Sequence, residues 1–206
     1  MAGAVIKLFL STTSPYARIA RIACEEKLGA EIALEFVDPW SDPRELLNAN
    51  PIARVPTLLT DDGHALTETL LIVQWLESTF PGASLLGTSS AVVLSGAGVA
   101  MGVIDAAAHT FMGRRVAPEF DETAVGVRRR RAMVNGLLVL ESRLPDNAGE
   151  SPNIADIATT VALDYLRFRF SAAGWLPAVP RLDAICSRLA ERPTFRRSAP
   201  REISRS

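Results

Sequence analysis

Hydrophobic positions recur with two different periods along the chain, and the change of period divides it. Val5-Ile6-Lys7-Leu8-Phe9-Leu10 is a short apolar run of strand length, and Ser11-Thr12-Thr13 stops it. Ser14-Pro15 then has the makings of a helix start, a favoured capping residue followed by a residue suited to the first helical position. Ile19, Ile22 and Ala23 make one apolar face, and Gly29 ends the pattern. Ile32-Ala33-Leu34-Glu35-Phe36-Val37 reads as a second strand, so the segment predicts a βαβ unit with parallel strands. A proline-marked loop and a short helix around Arg44 to Leu47 follow. Thr57-Leu58-Leu59-Thr60 and His64-Ala65-Leu66-Thr67 predict two short strands. Asp62-Gly63 between them is a hairpin signal, because such turns require positive φ. Glu68 starts a further helix, with Leu71, Ile72, Trp75 and Leu76 on its apolar face.

Pro81-Gly82 marks a boundary, beyond which every periodic segment is helical. The spacing predicts helices over about Ser90 to Arg115, Asp121 to Leu144, Asn153 to Ala172 and Pro180 to Glu191. Pro145 to Pro152 is a turn-rich break. Asn153-Ile154-Ala155-Asp156 has the form of a capping box, in which Asp156 returns a hydrogen bond to the chain. The expected domains are therefore residues 1–80, mixed α/β, and residues 81–206, all helical. Pro81 to Ile104 contains no charged residue and is long enough to span a bilayer, but its Ser, Gly and Thr content favours a linker and a buried helix.

Composition narrows the function classes. The 206 residues are 48% hydrophobic and 22% charged, with a net charge of −1, so no global field selects nucleic acid or an acidic membrane. Lysine occurs only at Lys7 and Lys27, and arginine carries the remaining positive charge. Arg128-Arg129-Arg130-Arg131 wraps around a helix and reads as a solvated surface. Cys24 and Cys186 form no CxxC pair, which fits a reducing, cytoplasmic setting and argues against a dithiol redox centre. The apolar N-terminal run lacks a basic segment ahead of it and reads as a strand, not a signal peptide. No metal-ligand spacing occurs, and neither His64 nor His109 has a partner acid or nucleophile nearby in sequence.

The order βαβαββα with Val55-Pro56 just before the third strand is a thioredoxin-like plan with a mixed four-stranded sheet. A cis proline there turns the preceding backbone toward the first helix, where the Val55 N–H and C=O can pair with an extended peptide ligand. The bland alternative is a proline that merely opens an edge strand. Ser14-Pro15-Tyr16-Ala17-Arg18, Asn50-Pro51, Arg54-Val55-Pro56-Thr57-Leu58 and Thr67-Glu68-Thr69 resemble the N-terminal domain of the glutathione transferase family. Asn153-Ile154-Ala155-Asp156-Ile157-Ala158 resembles its helical domain, so the resemblance covers the whole chain.

That resemblance implies a glutathione co-substrate, a small electrophilic second substrate, no metal, and a homodimer in which one chain's first domain meets the other's helical domain. Val55 and Pro56 would hold the cysteinyl part of glutathione. Glu68 would pair with the γ-glutamyl ammonium and Thr69 would bond its carboxylate, at a helix N-terminus that favours anions. The alternative is a helix-capping pair with no ligand. Arg54 is placed to reach the glycyl carboxylate. For catalysis, a hydroxyl must favour the thiolate over a thiol of ordinary pKa, about 8.5. Ser14 is preferred over Ser11 because a helix N-terminus adds aligned N–H groups, although Ser14 has a competing role as the cap. The implied activity is transfer of glutathione to an electrophile; the alternative is a glutathione-binding regulatory or assembly protein without that activity.

Overall fold

The computed structural model describes residues 5–29, 32–87, 90–143 and 151–202. The chain forms two compact units: residues up to Leu85 together with those from Pro193 onward, and Leu86–Arg192. The sequence reading divides the chain at residue 80 and puts all of residues 81–206 in the helical half; in the structure the segment from Pro193 groups with the first unit.

The first unit is built on β1 (Lys7–Leu10), α1 (Pro15–Leu28), β2 (Ala33–Phe36), α2 (Arg44–Ala49), β3 (Thr57–Leu59), β4 (Ala65–Thr67) and α3 (Thr69–Thr79). The sheet order is β2-β1-β3-β4, with β1 and β2 parallel and the two other pairings antiparallel. This is the expected mixed four-stranded sheet. Leu8, Phe9 and Leu10 on β1, Leu58 on β3, Ile19 and Ile22 on α1, and Ile72 and Leu76 on α3 are all buried. Burying each such side chain contributes about 1.5–3 kcal/mol. The hairpin closes as its turn residues require: Gly63 has φ 88°, and its N–H donates to Thr60 O at 3.1 Å. A short 3-10 turn at Pro39–Ser41 fills the proline-marked loop.

After the helical half, the chain returns to this unit as a short helix, α8 (Pro193–Arg197), which sequence reading did not anticipate. In labelling it α8, we count α4 (Ser90–Val116), α5 (Ala124–Arg143), α6 (Ile154–Arg169) and α7 (Pro180–Ala190) in the second unit. Phe195 is only 1% exposed, and Arg18 donates through Nη2 to its carbonyl at 3.5 Å and through Nε to Ser198 Oγ at 3.4 Å. Arg197 pairs with Glu25 at 2.9 Å, and Thr194 Oγ1 donates to Glu26 Oε1 at 2.6 Å. These bonds lay the tail along α1.

In the second unit α4 packs against α5 and α6. α6 is buried almost all round, which fits its near-absence of exposed polar positions. Its cap is the expected box: Asn153 Oδ1 accepts from Ala155 N and Asp156 N at 2.9 and 3.1 Å, and Asn153 N donates to Asp156 Oδ2 at 3.0 Å. α6 ends at Arg169, earlier than the expected Ala172, with Phe170 buried at its C-cap. The segment expected to begin a helix at Asp121 is instead a 3-10 turn, Phe120–Glu122, and α5 starts after Thr123. The expected end at Leu144, and Pro145 to Glu150 of the turn-rich break, lie outside the described residues. α4 is long and apolar enough to cross a membrane by length and composition alone.

Candidate functional site

Three strand ends meet at one edge of the first unit's sheet. β1 ends at Leu10, β3 begins at Thr57 and β4 ends at Thr67. Continuing the antiparallel registers sets Ser11 opposite Val55, two steps past the last β1–β3 pair, and Pro56 opposite Glu68, one step past the last β3–β4 pair. Two helices start at the same edge, α1 after Ser14 and α3 after Glu68. Thr69 Oγ1 donates to Tyr16 O at 3.2 Å and so ties the first turn of α3 to that of α1. The residues singled out in sequence, from Ser11 to Thr69, are thereby brought to one place by backbone topology.

The loop before β3 is held by one side chain. Asn50 is buried; its Nδ2 donates to Arg54 O at 3.2 Å and to Thr57 Oγ1 at 3.0 Å, while its Oδ1 accepts from Ile52 N at 3.1 Å. Thr57 Oγ1 donates in turn to Arg54 O at 2.7 Å. Ala53 is pushed to φ 53°, and its N–H reaches Asn50 O at 2.9 Å. This network positions Val55, and the Val55-Pro56 bond is cis, as its place in the sequence suggested. Asn50 was noticed only as part of a motif; its positioning role shows in no local periodicity. The Arg54 side chain projects from an exposed position.

Glu68 and Thr69 behave differently from a simple capping pair. Glu68 makes no side-chain cap to α3 and has φ 68° and ψ 122°, a region that costs a non-glycine residue about 1–3 kcal/mol. It is exposed, so its carboxylate faces solvent. Thr69 is 2% exposed, and its hydroxyl proton is engaged by Tyr16 O. What this edge presents to an anion is therefore the N–H groups of the first turn of α3, which have no intrahelical acceptor. They suit a carboxylate, and the Glu68 carboxylate suits an ammonium.

Ser14 is the cap of α1, and its Oγ accepts from Ala17 N at 3.2 Å. The cap engages a lone pair on Oγ and leaves the hydroxyl proton to donate. Ser11 is half-buried and lies in the loop at the end of β1. The cysteines lie elsewhere: both are free and buried, and burial pushes the Cys24 thiol far up and the Cys186 thiol up to about 11. Neither is an activated thiol.

Comparison with known proteins identifies the family. Residues 13–79 match the family described as Glutathione S-transferase, N-terminal domain, and residues 117–188 match its C-terminal domain. The chain is similar to a glutathione S-transferase from Methylobacterium radiotolerans JCM 2831, solved in complex with glutathione sulfonate, with TM-score 0.86 and 31% identity over 98% of this chain and 97% of that one. It is 29% identical to the GST-like protein YibF of Escherichia coli (strain K12), across 95% of this chain and 98% of that protein. It is 27% identical to a maleylacetoacetate isomerase of Pseudomonas aeruginosa, across 75% of this chain and 74% of that protein. A thioredoxin-like unit, a helical unit and the matches to both domain families agree: the chain belongs to the glutathione transferase family.

Proposed function

We propose that the protein binds glutathione at the β1–β3–β4 edge and transfers the glutathionyl group, through its sulfur, to a small electrophile. The observation that carries this reading is the Thr69 to Tyr16 bond, which gathers the two helix N-termini at the strand ends. Glu68 receives the γ-glutamyl ammonium, and the first N–H groups of α3 receive its carboxylate. The Val55 main chain pairs with the cysteinyl residue, and Arg54 takes the glycyl carboxylate. The sulfur then lies near Ser14 and Ser11, where a donated hydrogen bond and the α1 dipole favour the thiolate. The reaction forms a carbon–sulfur bond and releases the electrophile's leaving group, or, for an isomerisation of the kind named for the Pseudomonas aeruginosa relative, returns the thiol afterwards.

Calorimetry tests the site. Glu68→Ala should weaken glutathione binding about tenfold, roughly 1.4 kcal/mol. Unchanged affinity removes Glu68 from the site. A second reading, a glutathione-binding protein without turnover, is favoured by the Ser14 cap, which already engages that oxygen. Turnover of 1-chloro-2,4-dinitrobenzene by a protein that retains glutathione separates the two. The buried reduced cysteines support a cytoplasmic setting for either.

A further inference from the structure

The loop that carries Ser11 and Ser14 is four residues long, from the end of β1 at Leu10 to the start of α1 at Pro15. A connection this short keeps its shape through the bonds that its own main chain makes. At its α1 end, Ser14 is held from within the helix: its O accepts from Arg18 N at 3.0 Å and its Oγ from Ala17 N at 3.2 Å. In the middle of the loop, Thr12 O accepts from Arg201 N at 3.4 Å, a donor from the opposite end of the sequence.

The same tail grips Arg18. This residue lies in the first turn of α1 and is 7% exposed, and its guanidinium donates to Ser198 Oγ and to Phe195 O. Arg18 therefore joins two contacts: its main chain holds Ser14, and its side chain is held by the tail. Those bonds are long, but they come from a charged donor, and a buried guanidinium that loses an acceptor keeps its desolvation cost. The tail is itself fixed, with Phe195 1% and Ser198 6% exposed and Ser198 Oγ donating to Phe195 O at 3.1 Å. Ser11 and Thr12 share one small recess with Arg18, Ser198 and Arg201, so the tail adjoins the loop over more than the one bond. From α3, Thr69 holds the same turn of α1 through Tyr16 O. The N-terminus of α1 is thus fixed from α3 and from the tail.

We propose that the segment from Pro193 to Arg201 is a strap that sets the position of the Ser11–Ser14 loop, with Arg18 as the positioning residue that links it to Ser14. The proposal rests on the reading above, in which the sulfur lies near Ser14 and Ser11. The groups assigned there to glutathione binding stand at Arg54, Val55 and Glu68, around β3 and β4, whereas the strap acts on the β1–α1 loop. It therefore governs the thiolate and turnover and leaves the affinity for glutathione alone. A hydrogen bond weakens steeply as its angle falls, so a loop that shifts donates less to the thiolate, and the thiol returns toward its ordinary pKa, about 8.5.

Variants of the full chain release the strap at two points. Arg201→Pro removes the N–H that donates to Thr12 O; its control is Arg201→Ala, which loses the same guanidinium and keeps the N–H. Ser198→Ala removes an acceptor of Arg18 without a change of charge and is compared with the unaltered chain. Chemical denaturation and circular dichroism check that each variant folds, and if one does not, the other pair decides. Ultraviolet titration of bound glutathione should place the thiol pKa about half a unit higher in Arg201→Pro than in Arg201→Ala, and in Ser198→Ala than in the unaltered chain. Below that pKa, kcat for 1-chloro-2,4-dinitrobenzene should fall about threefold with the thiolate fraction. Calorimetry at the same pH, where glutathione binds as the thiol, should give a Kd within about twofold of the control. No difference in pKa within either pair of folded proteins overturns the strap and leaves the glutathione site standing. A Kd that weakens in step with the pKa also overturns it, because the tail would then support the whole edge. Failure of the unaltered chain to bind glutathione overturns both readings. Shifted pKa values without turnover uphold the strap and remove the conjugation reading.

Discussion

At the scale of single residues, the site depends on a few backbone positions and on which hydrogen-bonding capacity each side chain has left. Thr69 has its proton engaged by Tyr16 and acts as a clamp, while Ser14 accepts a bond and keeps its proton. Between the two serines, the α1 N-terminus sets the ranking, because only at Ser14 do aligned N–H groups add to a hydroxyl. Ser14→Ala should lower turnover more than Ser11→Ala and should move the bound thiol pKa upward, because a donor to the thiolate is lost. Ultraviolet titration of the thiolate on both variants measures this. Loss of the cap also costs about 1 kcal/mol, so Ser14→Thr, which keeps both cap and hydroxyl, is the control. If Ser11→Ala alone raises the pKa, the ranking reverses. The motif residues were legible because each stands in a short pattern tied to a strand end or helix start. Asn50 as the organiser of the Val55 loop was not, because its partners at Ile52, Arg54 and Thr57 are joined by side-chain bonds that leave no periodicity.

At the scale of elements, caps and close approaches decide where helices begin and how they pack. Gly126 is required by contact with the turn before α5: a Cβ there would lie 2.1 Å from Phe120 O, a main-chain atom that cannot swing aside. Gly126→Ala should destabilise the fold by about 1–3 kcal/mol in chemical denaturation. The end of α1 and the end of α3 are joined by Lys27 and Glu77 at 2.9 Å, with the Lys27 side chain 3% exposed. Burial raises the Glu77 carboxyl, but the Ser84 hydroxyl, the Leu85 N–H and Lys27 together outweigh it and hold the group below the usual glutamate value. The carboxylate therefore contributes stability that is complete above the unfolded-chain pKa, about 4.3, and is lost as pH falls through the lower folded value. Denaturation between about pH 5 and pH 3 should show this acid-side loss, and Glu77→Gln should flatten it. The same slope in both proteins would show that other carboxyl groups carry it.

At the scale of the whole molecule, α4 leaves a strip of small and apolar residues uncovered among the described residues. Leu94, at 47% exposure, Gly98 and Gly102 share one face at helical spacing, and a Cβ built at either glycine would meet nothing within 4 Å among the described residues. The open space at both glycines would let a second helix approach this face closely. We propose a homodimer through this strip, an isologous contact that buries apolar surface. Light scattering at micromolar concentration should report about twice the 22.2 kDa chain mass. A single-chain mass that persists at high concentration rejects the dimer and leaves the glutathione site unaffected.

What the sequence determined by itself was local and periodic: the βαβαββα order, the hairpin at Asp62-Gly63, the α6 capping box and the motif residues at the strand ends. Such features are encoded within a few residues, where turn chemistry and amphipathic period act directly. Tertiary structure alone decided the return of the chain from Pro193 to the first unit, the Asn50 network, the nesting of Phe120 against Gly113 and Gly126, and the contact of the tail with the Ser11–Ser14 loop. Arg18 and Ser198 stand 180 positions apart, and no short-range pattern can carry a contact at that separation. The tail contact exists because a buried phenylalanine and a few hydrogen bonds fold the tail back onto α1, and that packing joins residues the sequence holds far apart.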